Sequence, residues 1–162
     1  MSWSSKSMTD PTSNPRAVLL SVKPRFAHPL LLGTKTAEVR RRFPFLSSGT
    51  KVFVYSSSPD RAVIGTFVLT DVTRVDTGEV WGQHAHALLI GESELATYLD
   101  GTTEAAIVGA AHPDAWEQSM PLQALRSDVG VEPPQSYRYL TSDQVEVLES
   151  HAAATRRVPA LV

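Results

Sequence analysis

A small α+β protein whose strands form a curled sheet or barrel is the fold class the sequence predicts. Three observations carry the prediction. Several short apolar, β-branched runs recur along the chain; two or three helical patterns lie among them; and 162 residues, 42% hydrophobic and 20% charged, suffice for one core without an internal repeat.

The elements follow in order. "RAVLLSV", residues 16–22, is an apolar run and reads as a buried strand. "PRFAHPLLLG" opens with a proline, which a first helical turn accepts, and closes on Gly33 as a C-cap; Pro29 keeps this helix short or irregular. "TKTAEVRRR" alternates as a strand over residues 36–42. "KVFVYSS" and "AVIGTFVLTDVTRV" are the clearest strands, with Gly49 and "SSPDR" supplying turns. "TGEVWGQHAHALL" and "GESELATYLDG" have helical spacing, with Thr77 or Ser93 as caps and Gly101 as a stop. "EAAIVGAAHPDAWEQ" returns to strand composition, with His112 before Pro113 in a loop. "PLQALRSDVG" reads as one or two helical turns and "QSYRYL" as a last strand. "TSDQVEVLESHAAA" is a terminal helix capped by Thr141 or Ser142.

The resulting organisation is a disordered leader over 1–15, a domain over 16–140, and a C-terminal helix and tail over 141–162. The leader lacks the apolar segment of a signal peptide, and no apolar run approaches the roughly 20 residues that cross a bilayer. With no cysteine there is neither a disulfide framework nor a thiolate metal site. A cytoplasmic protein is the expectation, with no membrane partner, no cofactor and no metal.

The net charge of −2 conceals a polarity. Residues 1–75 hold eleven Lys/Arg against four Asp/Glu, and the remainder holds four against thirteen. One face is therefore expected to attract an anionic partner, unless the two halves neutralise each other across the fold.

The densest cation cluster is "GTKTAEVRRR". On a strand, Glu38, Arg40 and Arg42 share one face, while Arg41 joins Ala37 and Val39 on the other. Lys35 would point to the core in a regular strand, where an unpaired ammonium is costly, so the strand is expected to begin after it and Gly33 to turn the lysine into a cleft. Lys23 and Pro24 form a second corner at the end of the first strand. Two lysines meeting there would suit a phosphate or a polarised carbonyl; the competing reading is a solvated surface ion pair of Glu38 with Arg40, worth about 0–1 kcal/mol.

These residues also carry a resemblance. "LLSVKPRFAHPLLLGTKTAEVRRRFP" is similar to the opening motif of the ASCH domain, a PUA-like β-barrel family, in which an S-x-K-P corner precedes a helix and then G-x-K-x-x-E-x-R; here the motif falls on Ser21, Lys23, Pro24, Gly33, Lys35, Glu38 and Arg40. It continues through "VFVYSSSP", "AVIGTF", "LQALR" and "PPQSYRYL", spanning residues 18–140. The resemblance implies a PUA-like β-barrel, a curled and mostly antiparallel sheet with flanking short helices, whose cleft binds RNA or a modified nucleoside or nucleotide. Lys23, Lys35, Glu38, Arg40, Tyr55 and Ser56 are its expected ligand contacts, and Arg41, Arg42 and Lys51 a rim for phosphates, which would give salt-dependent affinity. Tyr55, Tyr137 and Tyr139 are stacking candidates.

Two other readings stay open. One is a hydrolase in the same cleft, with Lys35 and Glu38 catalytic. An enzymatic branch of the family deacetylates N4-acetylcytidine with a Lys, a Thr and a Glu; Lys35 matches, but Glu38 stands where the threonine belongs, and no partner glutamate is placed, Glu92 and Glu94 being only nearby acids. Ribonuclease activity is also associated with the family. The other reading is a regulatory protein-interaction module using the acidic second half. The remaining polar clusters are weaker: His84 and His86 face opposite sides of a helix, His28 lies in the first helix, and Ser56, Ser57 and Ser58 suit a turn.

Overall fold

The computed structural model describes residues 17–156. The leader expected over 1–15, Arg16 and the tail beyond residue 156 lie outside them. The elements are β1 (Val18–Val22), α1 (Pro24–Leu32), β2 (Ala37–Arg40), β3 (Lys51–Ser56), β4 (Ala62–Asp76), α2 (Thr77–Leu88), α3 (Glu92–Tyr98), β5 (Glu104–Pro121), α4 (Leu122–Ala124, running into a π-helical turn Leu125–Val129), β6 (Tyr137–Tyr139) and α5 (Ser142–Arg156). All six strands join one sheet in the order β2-β5-β4-β3-β1-β6. Only β1 and β3 run parallel; the other four pairings are antiparallel, as the sequence leads one to expect.

The sheet curls because its two longest strands are irregular. The register of β4 against β5 shifts between Val63 and Gly65, Thr66 and Val68, and Leu69 and Val72, and each extra residue bends the ribbon and increases its twist. His112, at φ 50°, and Pro113 lie within β5 rather than in a loop, at one of these irregular stretches. The curl returns the edge strand β2 toward β1 at the opposite end of the order, where Arg40 hydrogen-bonds to the Ser21 carbonyl. An α+β half-barrel results.

Strand alternation divides the core. Leu20, Val22, Val52, Val54 and Phe67 pack inward with Leu30 and Leu31 of α1 and with Phe43. Leu19, Phe53, Tyr55 and Val63 face the other way, onto Leu125, Val129 and Leu148 of α4 and α5. With helices on both faces β1 is apolar at Val18, Leu19, Leu20 and Val22, and only Ser21, at the cavity, interrupts the run. A third cluster sets Ala37, Val39, Val75 and Ile107 against Val80 and Leu88 of α2 and Leu95 and Leu99 of α3.

Helix ends follow the sequence in part. Gly33 caps α1 in the left-handed region at φ 85°, and Thr141 forms a capping box with Gln144. Thr77 and Ser93 are not caps: the N-cap positions of α2 and α3 are Asp76 and Gly91, neither with a side-chain cap bond. Nor does β2 run to Arg42. Arg41 leaves the ladder to donate from Nε to the Tyr98 carbonyl at 2.6 Å, so the strand ends at Arg40 and the shared face expected of Arg42 and Glu38 does not form.

Gly65 is required by close approach: a Cβ there would stand 2.3 Å from the Asp114 carbonyl oxygen and 2.7 Å from Leu31 Cδ1. Because backbone cannot yield as a side-chain tip can, Gly65→Ala is expected to destabilise the fold by about 1–3 kcal/mol in urea unfolding. Unchanged stability would mean that β5 does not press on β4 there.

Candidate functional site

A cavity of about 780 Å³ opens where β2 faces β1 across the seam of the half-barrel. Its position follows from three sequence features. The S-V-K-P corner ends β1 and starts α1; Gly33 ends α1; and the segment after Gly33 is tied on both sides, Lys35 N–H donating to the Pro29 carbonyl and Thr36 N–H to the Ala87 carbonyl. Lys35 thus precedes the strand, as expected, and turns inward.

Three charged side chains form the floor. Lys35, Glu38 and Arg40 are only 2%, 7% and 8% exposed. Lys35 Nζ lies 3.4 Å from Glu38 Oε1, donates to the Leu88 carbonyl at the C-terminal end of α2, and stands 5.2 Å from the Phe26 ring centroid. A helix C-terminus and a ring face both favour a cation. Arg40 Nε donates to Glu38 Oε2 at 3.0 Å, Nη2 to the Ser21 carbonyl at 2.7 Å, and Nη1 to Ser136 Oγ at 3.2 Å. Glu38 therefore has each carboxylate oxygen committed to a cation, and the cluster carries one net positive charge. Burial holds the Lys35 ammonium below its ordinary range, with the nearby Glu38 charge opposing that shift.

The walls differ in character. Phe26, Val39, Ile90 and Tyr98 make an apolar side, and Lys23, Ser57, Ser136 and the 133–135 loop a polar one. Ser136 accepts from Arg40, which leaves its own O–H to donate elsewhere, whereas the Ser21 hydroxyl is used on the Pro134 carbonyl. Burial raises the pKa of the Tyr55 phenol, which also lines the cavity and stays a donor. At the mouth, Arg25 of α1 is paired with Glu94 of α3, while Lys23 is exposed and has no ion-pair partner among the described residues.

Of the residues singled out from sequence, Lys23, Lys35, Glu38, Arg40 and Tyr55 meet around this cavity. Ser56 does not: its buried hydroxyl donates to Asp60, which also contacts His28 Nε2 at 2.6 Å, and strand parity gives the wall to Ser57 instead. Lys51 is drawn the other way, into an ion pair with Glu149 of α5 at 2.5 Å, and does not line the cavity. Arg41 and Arg42 are exposed just beyond the floor. Sequence reasoning missed Phe26, Ile90, Tyr98 and Ser136. Ser136 lay in "PPQSYRYL" but offered no spacing to Arg40, 96 positions away. Among the described residues no group of three or more His, Cys, Asp or Glu could hold a metal, and no helix is long and apolar enough to cross a membrane.

The architecture is a curled α+β half-barrel with a charged cleft at its seam, and the sequence gives the family. The chain belongs to the ASCH domain family, whose model matches residues 20–124. An ASCH domain-containing ribonuclease of Zymomonas mobilis is 26% identical over 149 residues, 88% of this chain and 96% of that protein. The crystal structure of ASCH from Zymomonas mobilis superposes with a TM-score of 0.80 at 24% identity, covering 85% of this chain and 96% of that one. The N-terminal domain of Thermococcus gammatolerans McrB, bound to m5C DNA, shares the fold at a TM-score of 0.51 and 7% identity, over 86% and 98% of the two chains.

Two variants test the floor. Glu38→Gln leaves two buried cations without their carboxylate and is expected to cost about 3–5 kcal/mol in urea unfolding. Lys35 has a native pKa below its unfolded value of 10.5, so in that interval the unfolded chain binds more protons. The stability of the wild type relative to Lys35→Met should therefore climb with pH up to the unfolded value; a flat or falling difference would show that burial does not dominate.

Proposed function

We propose that the cleft binds RNA by seating one nucleotide unit of the strand. The observation that carries this reading is the pairing of a cationic floor with an apolar wall in a cavity of about 780 Å³, within the roughly 300–1,000 Å³ typical of small-ligand sites. A base would lie against Phe26, Ile90 and Tyr98, and a phosphate against Lys23, Ser136 and the accessible edge of Arg40. Lys35 lies almost wholly under the floor, so its part is the field it sets up in a cavity with low-dielectric walls, which concentrates anions at the mouth. RNA as the polymer is supported by the ribonuclease name of the Zymomonas relative, aligned over nearly its whole length.

The same relative favours a second reading, RNA hydrolysis in this cleft. Strand cleavage requires a proton acceptor beside the attacking hydroxyl and charge stabilisation on the phosphate. Both oxygens of Glu38 are engaged by cations, so Glu38 acts here as a positioning residue for Lys35 and Arg40 rather than as the free base that the sequence invites. The hydroxyls of Tyr55, Ser57 and Ser136 and the Lys23 ammonium line the cleft as proton donors to a phosphate or a leaving oxygen. For N4-acetylcytidine hydrolysis, Glu38 still occupies the place of the nucleophile.

Fluorescence anisotropy with labelled single-stranded RNA tests binding. Affinity should fall with added salt, and Lys23→Ala and Lys35→Met should each weaken it by about tenfold. Salt-independent affinity, or affinity untouched by both variants, would place the RNA elsewhere. Gel analysis of the same RNA tests hydrolysis: products that form with wild type and vanish with Ser136→Ala or Tyr55→Phe support it, and intact RNA removes it.

A further inference from the structure

We infer that the surface beside the seam is a stacking platform for the single-stranded RNA that continues out of the cleft, built from Phe45 and Tyr139 and edged by Arg41, Arg42 and Arg74. The inference rests on the cleft reading and extends it from one nucleotide to a strand.

The platform begins one residue along the chain from the cleft wall. Ser136, which holds Arg40, is followed by Tyr137, whose ring meets Phe43 at 5.1 Å and Tyr139 edge-on at 6.0 Å. The Phe43 carbonyl accepts from Arg74 at 3.1 Å, and the Arg74 guanidinium lies 5.0 Å from the Phe45 ring centroid. The inner pair is core: Phe43 is buried and Tyr137 packs against the same cluster. The outer pair is not, with Phe45 69% and Tyr139 39% exposed. Both outer rings present area to solvent beside a buried one, Phe45 under the Arg74 guanidinium and Tyr139 edge-on to Tyr137.

Charge indicates the occupant. None of the six ion pairs among the described residues includes Arg41, Arg42 or Arg74, although all three are exposed. Arg41 lies 5.2 Å over the Tyr98 ring, a residue of the apolar cleft wall, so exposed cation stands at the cleft rim, four residues along the chain from Phe45. Aromatic faces interleaved with arginines left without acidic partners match a polyanion whose bases are unpaired; a duplex hides those faces, and an apolar protein surface would leave the guanidinium groups buried without partners.

The test compares ligands of two lengths on the full chain: the dinucleotide UpU, whose one phosphate and one of whose bases the proposed cleft site would seat, and an oligouridylate of about ten nucleotides, within the span that single-strand sites cover. The double variant Phe45→Ala/Tyr139→Ala should lose about tenfold or more for the long ligand and leave UpU unchanged, and Phe45→Leu/Tyr139→Leu, which keeps apolar bulk, should lose as much. Arg42→Ala should lower the salt slope for the long ligand by about 0.7, one phosphate. Long-ligand affinity retained in the Ala/Ala variant overturns the platform, and if Lys35→Met meanwhile abolishes UpU binding the cleft reading survives alone. Affinity retained in the Leu/Leu variant but lost in Ala/Ala also overturns it, marking an apolar docking face. Failure of wild type to bind either ligand removes both readings. Thermal unfolding of each variant confirms that these exposed replacements leave the fold intact.

Discussion

Three ionised side chains buried within six residues of sequence are the constraint to which the rest of this structure answers. An isolated buried ammonium or carboxylate would be neutralised or expelled, so Lys35 and Arg40 persist there because Glu38 pairs with both. What they still require, the surrounding elements provide. The end of α2 gives Lys35 a carbonyl, β1 gives Arg40 the Ser21 carbonyl, and the strand leading into β6 gives it a hydroxyl. Elements far apart in the chain are held to one place by the hydrogen bonds of one short strand.

That placement explains why the cleft lies where it does. A sheet of six strands with two free edges would expose unpaired backbone at both. Here the curl turns the β2 edge toward β1, and Arg40 bridges the gap with its guanidinium where ladder bonds would otherwise close a barrel. A gap spanned by side chains leaves a cavity, and one spanned by charged side chains leaves a cavity with a field. Positive charge that the fold buries to join its ends thereby faces the cavity. Of the cations in the basic part before residue 76, Lys23, Lys35 and Arg40 line the seam cavity, while Lys51 is drawn away to Glu149.

Much of this was legible from residues close in sequence. The alternation of Ala37-Glu38-Val39-Arg40 gave the common face of Glu38 and Arg40, the position of Gly33 gave the turn that takes Lys35 inward, and the similarity of the opening segment gave the family. The misreadings come from interactions with distant partners. Whether β2 continues to Arg42 depends on the Tyr98 carbonyl; whether Lys51 belongs to the rim depends on Glu149; whether Ser56 faces the cleft depends on Asp60, in a turn four residues on. The apolar wall was invisible for another reason. Phe26, Ile90 and Tyr98 look like ordinary helix-face or connecting residues, and only the packing of α1, α2 and α3 around one seam separates cavity lining from core. The exposed Phe45 likewise lies in an unpatterned loop, with nothing local to show that its neighbour Phe43 is buried and it is not.

The account's central claim is that a charge cluster required to close the fold is also the anion-attracting floor of a nucleotide site. A crystal structure of the chain soaked with uridine 3′-monophosphate tests it most directly. The account predicts phosphate oxygens within hydrogen-bonding distance of Ser136 Oγ and an Arg40 nitrogen, the base against Phe26 and Tyr98, and Glu38 still paired with both cations. A nucleotide bound away from the seam, or one whose phosphate displaces Glu38 from Arg40 and opens the half-barrel, would contradict it.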